Sequence, residues 1–489
     1  MKEGIYMINS IEDNDWIFNI IEEKISNFLS ELGPKLIRVA LENLDVYILE
    51  DRNKSIYRCK GKREKTVNTS LGSVSYKRRL YEEKISRNEV RTVFLLDEIL
   101  KLKFLGKSTL KQAINLVTEA LAESFRNVSK QNDSPLLCNP SHQTVKNRVS
   151  DIANLFKNAE TQRIQKYYKN ELHGENQVEI LFEEKDGLFL SIQGQKAKKE
   201  IKLAKVYEGW QLERESSKRY KTINPLYFAG YENPEQFDAI VNSGIAEVYD
   251  SDYLKTKILN GDGAEWISKE VEMDATVQYQ LDLFHIYEKA TRKIANSDDR
   301  NRIKKLIKNK EFEKLIDECK KLYENELDEK EKEKLREVYI YYKNHKDFLK
   351  RYIDRDDFKL DVKQELRDLG TMESSIHNVL ATRMKGHGLS WSVTGADAMA
   401  KLLCLKHSKQ DLGEAIQDIA NRNIDKNLKY DVKCELDNQL IKAKKDVNNA
   451  VRELIYEKPR KFSNKESHIQ VFNNKLTQLF KALHGLLEN

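Results

Sequence analysis

Apolar residues recur at helical spacing through the first part of the chain. Between residues 10 and 50 they fall every three or four positions, which predicts amphipathic helix. The pair Gly33-Pro34 interrupts this pattern. Because proline removes a backbone donor from a helix interior, we expect two helices with a break between them. Residues 93–170 return to helical spacing after a stretch with a different period.

That intervening stretch alternates polar and apolar side chains on both sides of Leu71-Gly72-Ser73, which predicts a β-hairpin with a tight turn. It is also basic. From Arg52 to Lys84 there are eleven Lys or Arg and three Glu, a local charge of +8 that exceeds the +6 of the whole chain. Such a hairpin is typical of phosphate-backbone binding, with a solvated hairpin face as an equally favoured alternative. The candidate contacts are Lys62, Arg63, Lys77, Arg78 and Arg79.

A further helix is predicted to begin after Ser141, which follows Pro140 and can cap a helix N-terminus. Polar side chains able to reach base edges fill its first turns, as in the recognition helix of a helix-turn-helix. An ordinary capped surface helix is the alternative, and with a basic hairpin before it the two interpretations are about equal. The side chains concerned are His142, Gln143, Thr144, Lys146 and Arg148.

The centre of the chain has the period of β-strands. Apolar residues alternate there in short segments, namely 178–182, 188–192, 201–206, Thr256–Leu259 and Val277–Leu281. The first two strands would be joined through Asp186-Gly187. Residues 285–368 follow with helical spacing and dense charges of both signs. Strands first and helices later predict a mixed α/β core with helices packed on it.

Composition narrows the class of protein. A chain of 489 residues should form two to four domains, and 39% apolar with 34% charged residues is typical of a folded protein with a charged surface. No run approaches the roughly 18 apolar residues needed to cross a bilayer. The N-terminus has acids where a secretory signal would be apolar. We therefore expect a cytoplasmic protein without a membrane partner, its five scattered cysteines being free thiols rather than a zinc site.

Three acidic residues have unusual settings. Asp186 ends an apolar segment and precedes a glycine. Asp262 has glycine on both sides, which lets the backbone approach another group closely. Glu373 opens a predicted helix. Each setting also has an ordinary explanation, a turn or a helix-dipole partner. Three carboxylates from distant parts of the chain would nevertheless suffice to hold two divalent metal ions for phosphodiester chemistry.

The segments around these acids match known motifs in order. They are Glu184-Lys185-Asp186-Gly187, Gly261-Asp262-Gly263-Ala264-Glu265-Trp266-Ile267, Leu281-Asp282-Leu283-Phe284-His285, Met372-Glu373-Ser374-Ser375, Leu389-Ser390-Trp391-Ser392 and, nearer the N-terminus, Thr69-Ser70-Leu71-Gly72-Ser73-Val74. Together they resemble the Lre-type insertion-sequence transposases, a group near the Mutator-like DDE transposases. The resemblance extends from about residue 30 to 410.

The resemblance implies an α/β ribonuclease-H-like core with a large all-α insertion, preceded by a helical and β-hairpin DNA-binding region. Asp186 would lie on the first strand of that core, Asp262 would follow the fourth, and Glu373 would lie on a helix after the insertion. The expected parts are an N-terminal helical region with the hairpin (1–92), a helix-turn-helix region (93–170), the first part of the core (171–290), the insertion (291–368), the second part of the core (369–410) and a C-terminal helical region (411–489).

The resemblance also implies a bacterial DNA transposase. Its three acids would hold two Mg²⁺ ions, with Mn²⁺ as a substitute, and it would bind terminal inverted repeats and target DNA as a homodimer or higher homo-oligomer. His285 closes a D-x-x-H motif and would contact the scissile phosphate or orient a metal-bound group. A packed structural histidine is the alternative. The sequence contains no G-x-x-x-x-G-K-[ST] loop, so no nucleotide cofactor is expected.

Three further candidate DNA contacts follow Glu373 in the chain. Arg383 and Lys385 would neutralise phosphates near the active site. Trp391 would stack on an unpaired base, although core packing is the slightly favoured alternative.

One residue departs from the family pattern. Lys185 stands where the first motif usually has a small residue. A cation there is harmless if it points away, because neighbours on a strand alternate faces. Two other functions stay open, an inactive DNA-binding regulator and a metal-dependent nuclease without strand transfer.

Overall fold

The computed structural model describes residues 11–86, 89–99, 105–131, 140–214, 218–267, 276–355, 358, 365–386, 388–408 and 411–422. The chain divides into two units, a first unit of residues 1–148 with 421–489 and a second unit of Val149–Ala420. The predicted C-terminal helical region lies outside the described residues beyond Arg422. No helix in these described ranges is long and apolar enough to cross a membrane.

The first unit opens with one long helix, α1 (Ile11–Asp51). The predicted break at Gly33-Pro34 is wrong, because the helix continues through Pro34. A proline inside a helix removes one backbone hydrogen bond. Beyond the proline, Leu44 and Ile48 of the same helix pack into the core of the unit.

An antiparallel sheet of three strands belongs to the same unit: β1 (Tyr57–Thr69), β2 (Gly72–Lys84) and β3 (Val90–Val93). The predicted β-hairpin is confirmed. Thr69 pairs with Gly72, which places the turn at residues 70–71, one residue earlier than predicted. Alternate side chains of the hairpin face α1. Those of Val67, Val74, Tyr76 and Tyr81 form a core with Leu96 and with Leu44 and Ile48 of α1.

Three short helices and one long helix follow the sheet in the described part of the chain. Their bounds are α2 (Leu95–Ile99), α3 (Leu110–Ala120), α4 (Phe125–Gln131) and α5 (His142–Tyr168). The hydroxyl of Ser141 accepts a hydrogen bond from the backbone N–H of Thr144 at 3.2 Å, so the predicted cap of α5 is confirmed.

A five-stranded sheet forms the centre of the second unit, with its strands in the order β10-β9-β4-β5-β8. The strands are β4 (Ile180–Leu190), β5 (Lys199–Tyr207), β8 (Leu226–Gly230), β9 (Thr256–Gly261) and β10 (Val277–Leu281). β4, β9 and β10 run parallel, whereas β5 is antiparallel to both β4 and β8. The two strands predicted near Asp262 are confirmed.

The prediction of two strands joined through Asp186-Gly187 is wrong. β4 runs through this pair without a break, and Asp186 and Gly187 are paired with Leu203 and Lys202 of β5. An Asp-Gly pair turns the chain only when its backbone groups have no strand partner. The glycine has a packing reason instead, because a side chain at residue 187 would collide with the Glu200 carboxylate.

Helices cover the two faces of this sheet. On one face α6 (Pro234–Val248) packs on Leu181, Ala204 and Val206. On the other face lies a cluster that includes Phe182 and Tyr207. A two-stranded ribbon, β6 (Trp210–Leu212) and β7 (Tyr220–Thr222), branches off between β5 and β8.

The predicted helical region follows β10. It consists of α7 (Leu283–Lys293), α8 (Ser297–Lys308), α9 (Phe312–Asn325), α10 (Glu329–Asn344) and two 3₁₀ turns, Lys346–Phe348 and Tyr352–Asp354. These helices share one core with β9 and β10. The helical stretch is therefore anchored on the sheet rather than extended from it.

The last described helices return the chain to the sheet. α11 comprises Met372–Ser375, a π-helical segment Ile376–Ala381 and Thr382–Met384, and it is followed by α12 (Val393–His407) and α13 (Leu412–Arg422). The prediction that Glu373 opens a helix is confirmed. Single π turns inside helices occur frequently at functional sites.

Candidate active site

Asp186 and Asp262 come from neighbouring parallel strands. In the ladder between β4 and β9, Glu184 is paired with Asn260. Asp186 lies two residues further along β4, and Asp262 lies two residues beyond Asn260, directly after the end of β9. One carboxylate oxygen of Asp186 accepts from the N–H of Gly187 at 2.6 Å, and one of Asp262 accepts from the N–H of Ala264 at 2.8 Å. Backbone N–H groups thus fix the direction of both carboxylates.

His285 joins this pair from the first turn of α7. Asp282 caps that helix by accepting from the N–H of Phe284 at 2.9 Å, which fixes the start of the helix and so the position of His285. Its Nε2 lies 3.7 Å from Asp186 Oδ2, and its Nδ1 lies 3.3 Å from Glu288 Oε2. The D-x-x-H segment thus brings a histidine to the two predicted aspartates.

The charge around His285 is strongly negative. Burial by itself lowers the pKa of the imidazole, but adjacent Asp186 and the charges of Asp262 and Asp282 outweigh it and raise the pKa to about 9. With these carboxylates free of metal, the imidazole is therefore a cation at neutral pH.

Sequence analysis missed a fourth acid, Glu200 of β5. Its carboxylate covers Gly187, and its pKa is raised by burial and by the charges of Asp262 and Asp186. The residue lies in a lysine-rich strand segment, Lys198-Lys199-Glu200, and no sequence pattern distinguishes it from a surface glutamate. Only the pairing of β5 with β4 brings it to the aspartates.

Glu184, two residues before Asp186 on the same face of β4, connects the sheet to the helix that carries Glu373. Its Oε2 accepts from the N–H groups of Gly370 and Thr371 at 3.0 and 2.9 Å. Its Oε1 accepts from the hydroxyls of Thr371 at 2.5 Å and Tyr207 at 2.9 Å. This buried carboxylate therefore fixes the start of α11 beside β4.

Further polar groups complete this buried network. Lys205 donates to the hydroxyl of Thr371 at 2.7 Å, and burial lowers the pKa of Lys205 to about 8 although Glu184 opposes the shift. Gln280 donates to Asn260 at 3.1 Å and accepts from the N–H of Tyr352 at 3.0 Å. The network thus crosses the sheet from β5 to β10.

Glu373 itself is exposed in the first turn of α11. Among the described residues, no three His, Cys, Asp or Glu side chains converge in a group that could hold a metal ion. Asp186 and Asp262 supply the oxygen ligands that Mg²⁺ prefers, so the donor chemistry of the pair fits such an ion. Glu373 does not join the pair in this arrangement.

Lys185 points away from the aspartates, as period-two geometry allows. Its ammonium donates to Asp238 of α6 at 2.7 Å and lies 3.1 Å from Glu183. Lys257 pairs with the same Glu183 at 2.8 Å. Lys185, the residue that departs from the family motif, is therefore part of a buried ionic cluster under α6, on the face of the sheet opposite Asp186.

The segment after α11 packs into the unit. Trp391 is only 8% exposed, and its indole N–H donates to the carbonyl of Met384 at 2.9 Å. The guanidinium of Arg383 lies 5.4 Å from the centre of the Trp391 ring. These contacts favour the packing role for Trp391, whereas Lys385 is exposed.

The basic residues of the hairpin fall into two groups. Lys62, Arg63 and Lys77 are exposed. Arg78 pairs with Asp97 and lies over the ring of Phe94, with 3.6 Å from its guanidinium carbon to the ring centre.

Arg79 pairs with Asp45 of α1 at 2.6 Å, so its charge, like that of Arg78, is used inside the unit. In α5, His142, Gln143 and Lys146 are exposed and Thr144 is half-buried. Arg148 is buried. Exposure thus separates candidate DNA contacts from structural arginines.

Comparison with known proteins gives one family. The model of UPF0236, an uncharacterised protein family, matches residues 11–418. Three UPF0236 proteins of Caldanaerobacter subterraneus subsp. tengcongensis are similar to the chain. One is 26% identical over 481 residues, covering 95% of the chain and 90% of the relative. Another is 27% identical over 474 residues, covering 95% and 91%. The third is 27% identical over 428 residues, covering 83% and 82%, and its name joins eleven locus designations.

Proposed function

The chain belongs to the UPF0236 family, and from its site we propose that it is a DDE transposase of a bacterial insertion sequence. It would bind terminal inverted repeats, cut a DNA strand at the element end and join the resulting 3′-hydroxyl to target DNA. The single observation that carries the proposal is that Asp186 of β4 and Asp262, which directly follows the neighbouring strand β9, both lie close to His285.

The order of the elements supports the ribonuclease-H-like core in this proposal. Counted within the five-stranded sheet, Asp186 lies on the first strand and Asp262 directly follows the fourth. Helices α8, α9 and α10 come between Asp262 and Glu373. This is the arrangement that the resemblance to Lre-type transposases implies.

A relative's name adds independent support. One UPF0236 protein of Caldanaerobacter subterraneus subsp. tengcongensis carries eleven locus designations. A single protein encoded at many loci of one organism is what a self-copying element produces. We extend that property to this chain as part of the proposal.

The chemistry assigned to each residue follows from its position. Two Mg²⁺ ions, when bound, supply activation of the attacking oxygen and stabilisation of the leaving oxygen. Asp186 and Asp262 would hold them from the sheet, and Glu373, which lies apart from the pair at the exposed start of α11, would have to approach to complete the ligand set. His285 would contact the scissile phosphate. Two DNA ends must be joined, so the active form would be a homodimer or larger.

A DNA-binding regulator without catalysis is the second candidate. The observation that favours it is that the described residues contain no ready group of three metal ligands. The regulator would bind element ends and leave them intact.

The proposal is tested with a labelled duplex that carries the ends flanking the gene of this chain. We expect Mg²⁺-dependent nicking by the wild type. Asp262→Asn should lower the nicking rate by more than about 100-fold, because losing even a residue that only hydrogen-bonds to a metal ligand lowers activity about 10–100-fold. Affinity for the duplex should stay unchanged.

Asp252→Asn is the matched control, since Asp252 is an exposed acid in the turn before β9. It should nick at the wild-type rate. Wild-type protein that binds the duplex but never nicks it would establish the regulator instead. Nicking by Asp262→Asn at the wild-type rate would refute the assignment of the acids.

A further inference from the structure

Helix α10, the last helix of the insertion, reaches the turn that carries Asp262. The hydroxyl of Tyr341 donates to the backbone carbonyl of Asp262 at 3.0 Å. His345, just beyond the end of α10, has its Nε2 3.1 Å from the carbonyl of Gly263 and its Nδ1 2.8 Å from the carbonyl of Tyr341. Two consecutive carbonyls of the turn thus each meet a side chain of the insertion.

The fit between His345 and the turn is tight. Gly263 has a φ of +92°, a conformation that favours glycine. A Cβ atom on this residue would lie 2.8 Å from His345 Nε2 and 3.1 Å from a methyl group of Leu281. The glycine that follows Asp262 therefore makes room for the imidazole, which explains part of the G-D-G pattern.

The partners of Tyr341 keep its ring in place. The ring centres of Tyr341 and His345 are 4.9 Å apart, and Lys289 of α7 lies 4.7 Å from the centre of the Tyr341 ring.

The backbone of residues 262–264 also directs the Asp262 carboxylate. Asp262 Oδ1 accepts from the N–H of Ala264 at 2.8 Å, so the direction of the side chain depends on the path of residues 262–264. A group that fixes the carbonyls of this path also fixes the carboxylate.

We propose that Tyr341 and His345 are positioning residues, through which the helical insertion holds the Asp262 turn and aims its carboxylate at the reacting DNA strand. This inference rests on the proposed transposase function for the role of Asp262. It assigns the insertion a task inside the active site in addition to any contact with DNA.

The test compares Tyr341→Phe and His345→Leu with Tyr342→Phe. Tyr342 is the matched control, because its buried hydroxyl also donates to a backbone carbonyl, that of Ile286 at 2.7 Å, but not to the Asp262 turn. Hydrogen exchange of residues 262–267 should rise roughly tenfold in the first two variants, the order expected for one lost hydrogen bond. Exchange in the control should match wild type there.

Single-turnover nicking provides the second measurement. The maximal rate should fall about 10–100-fold in Tyr341→Phe and His345→Leu, as expected when a reacting group is displaced. Affinity for end DNA should not change in either variant. The control should keep its maximal rate even where its melting temperature is lower, which separates positioning from general stability.

The outcomes distinguish the two proposals. If wild type nicks, Asp262→Asn does not, and Tyr341→Phe matches wild type in exchange and rate, the positioning role is refuted and the transposase proposal stands. If wild type never nicks, the transposase proposal fails. In that case unchanged exchange in both variants refutes the contact between the insertion and the turn, and raised exchange supports it.

Discussion

Glu184, Lys185 and Asp186 are consecutive residues with three different environments. Glu184 binds the start of α11, Lys185 enters an ionic cluster under α6, and Asp186 faces His285. Strand alternation accounts for the opposite direction of Lys185. The hydrogen-bond partners of Glu184 at the start of α11 lie about 186 positions away in the chain. The residues next to Glu184 in the sequence therefore give no indication of them.

We predict that Glu184→Gln loosens the helix of Glu373. Both oxygens of Glu184 accept from donors, so an amide nitrogen meets a donor whichever way the side chain turns. The free energy of unfolding should fall by about 2–3 kcal/mol, the cost of an unsatisfied buried group. Urea unfolding measures it, and the nicking rate should fall as well.

Glu179→Gln is the control for this change. Glu179 pairs with Lys255 near the surface, and such pairs contribute about 1 kcal/mol or less. Equal stability of Glu184→Gln and wild type would contradict the role given to this carboxylate.

At the scale of elements, the sheet is joined to α6 by buried ion pairs rather than by apolar contacts alone. Lys185 and Lys257 share Glu183, and Lys185 also reaches Asp238 of α6. Removing one member of such a cluster leaves its partner charged and buried, which costs about 3–5 kcal/mol.

Lys185→Ala should therefore destabilise the second unit by that amount without altering the active site. We expect a clear drop in melting temperature, measured by circular dichroism, and a wild-type nicking rate per folded molecule at low temperature. A stable Lys185→Ala protein that has lost nicking would show instead that the cation takes part in the chemistry.

Elements with a clear period were predicted from the sequence. The hairpin, β9, β10 and the capped α5 have local patterns that burial reinforces. The error in β4 arose because an Asp-Gly pair signals a turn unless a partner strand holds it. The strands β6, β7 and β8 were not predicted; β6 and β7 have only three residues each, too few to show alternation.

The candidate site was predicted only in part. His285 and the two aspartates follow motifs, and the structure brings them together. Glu200 and Tyr341 reach the site through strand pairing and helix packing, which leave no mark on neighbouring residues. The arginines of the hairpin look alike in sequence, and only burial separates Arg78 from Arg63.

For the whole molecule, the two units suggest two separable tasks. The exposed basic side chains of the hairpin belong to the first unit, and Asp186 and Asp262 belong to the second. Under the proposed function, DNA affinity and strand cleavage should respond to different substitutions.

We predict that Lys62→Ala combined with Arg63→Ala weakens binding to end DNA and lowers the salt dependence of the binding constant by about 0.9 per lost phosphate contact. The nicking rate at saturating DNA should stay at the wild-type level. Fluorescence anisotropy at several salt concentrations measures the slope. Lys320→Ala, an exposed lysine of the insertion, is the control and should leave the slope unchanged.

Arg79→Ala should behave differently, because it breaks the pair with buried Asp45. It should lower the melting temperature of the protein. An unchanged salt slope in the double variant would remove the hairpin from the DNA-binding surface.

The contact between Tyr341 and Asp262 spans 79 positions of the chain, and that between Glu184 and Thr371 spans 187. A ribosome releases the strand ends long before it has made the residues that fix them. A growing chain would thus fold its sheet early and acquire an ordered site only after residue 371. Under the proposed function, a nascent or prematurely terminated product would have no competent site, and DNA near the ribosome would be spared until synthesis is well advanced.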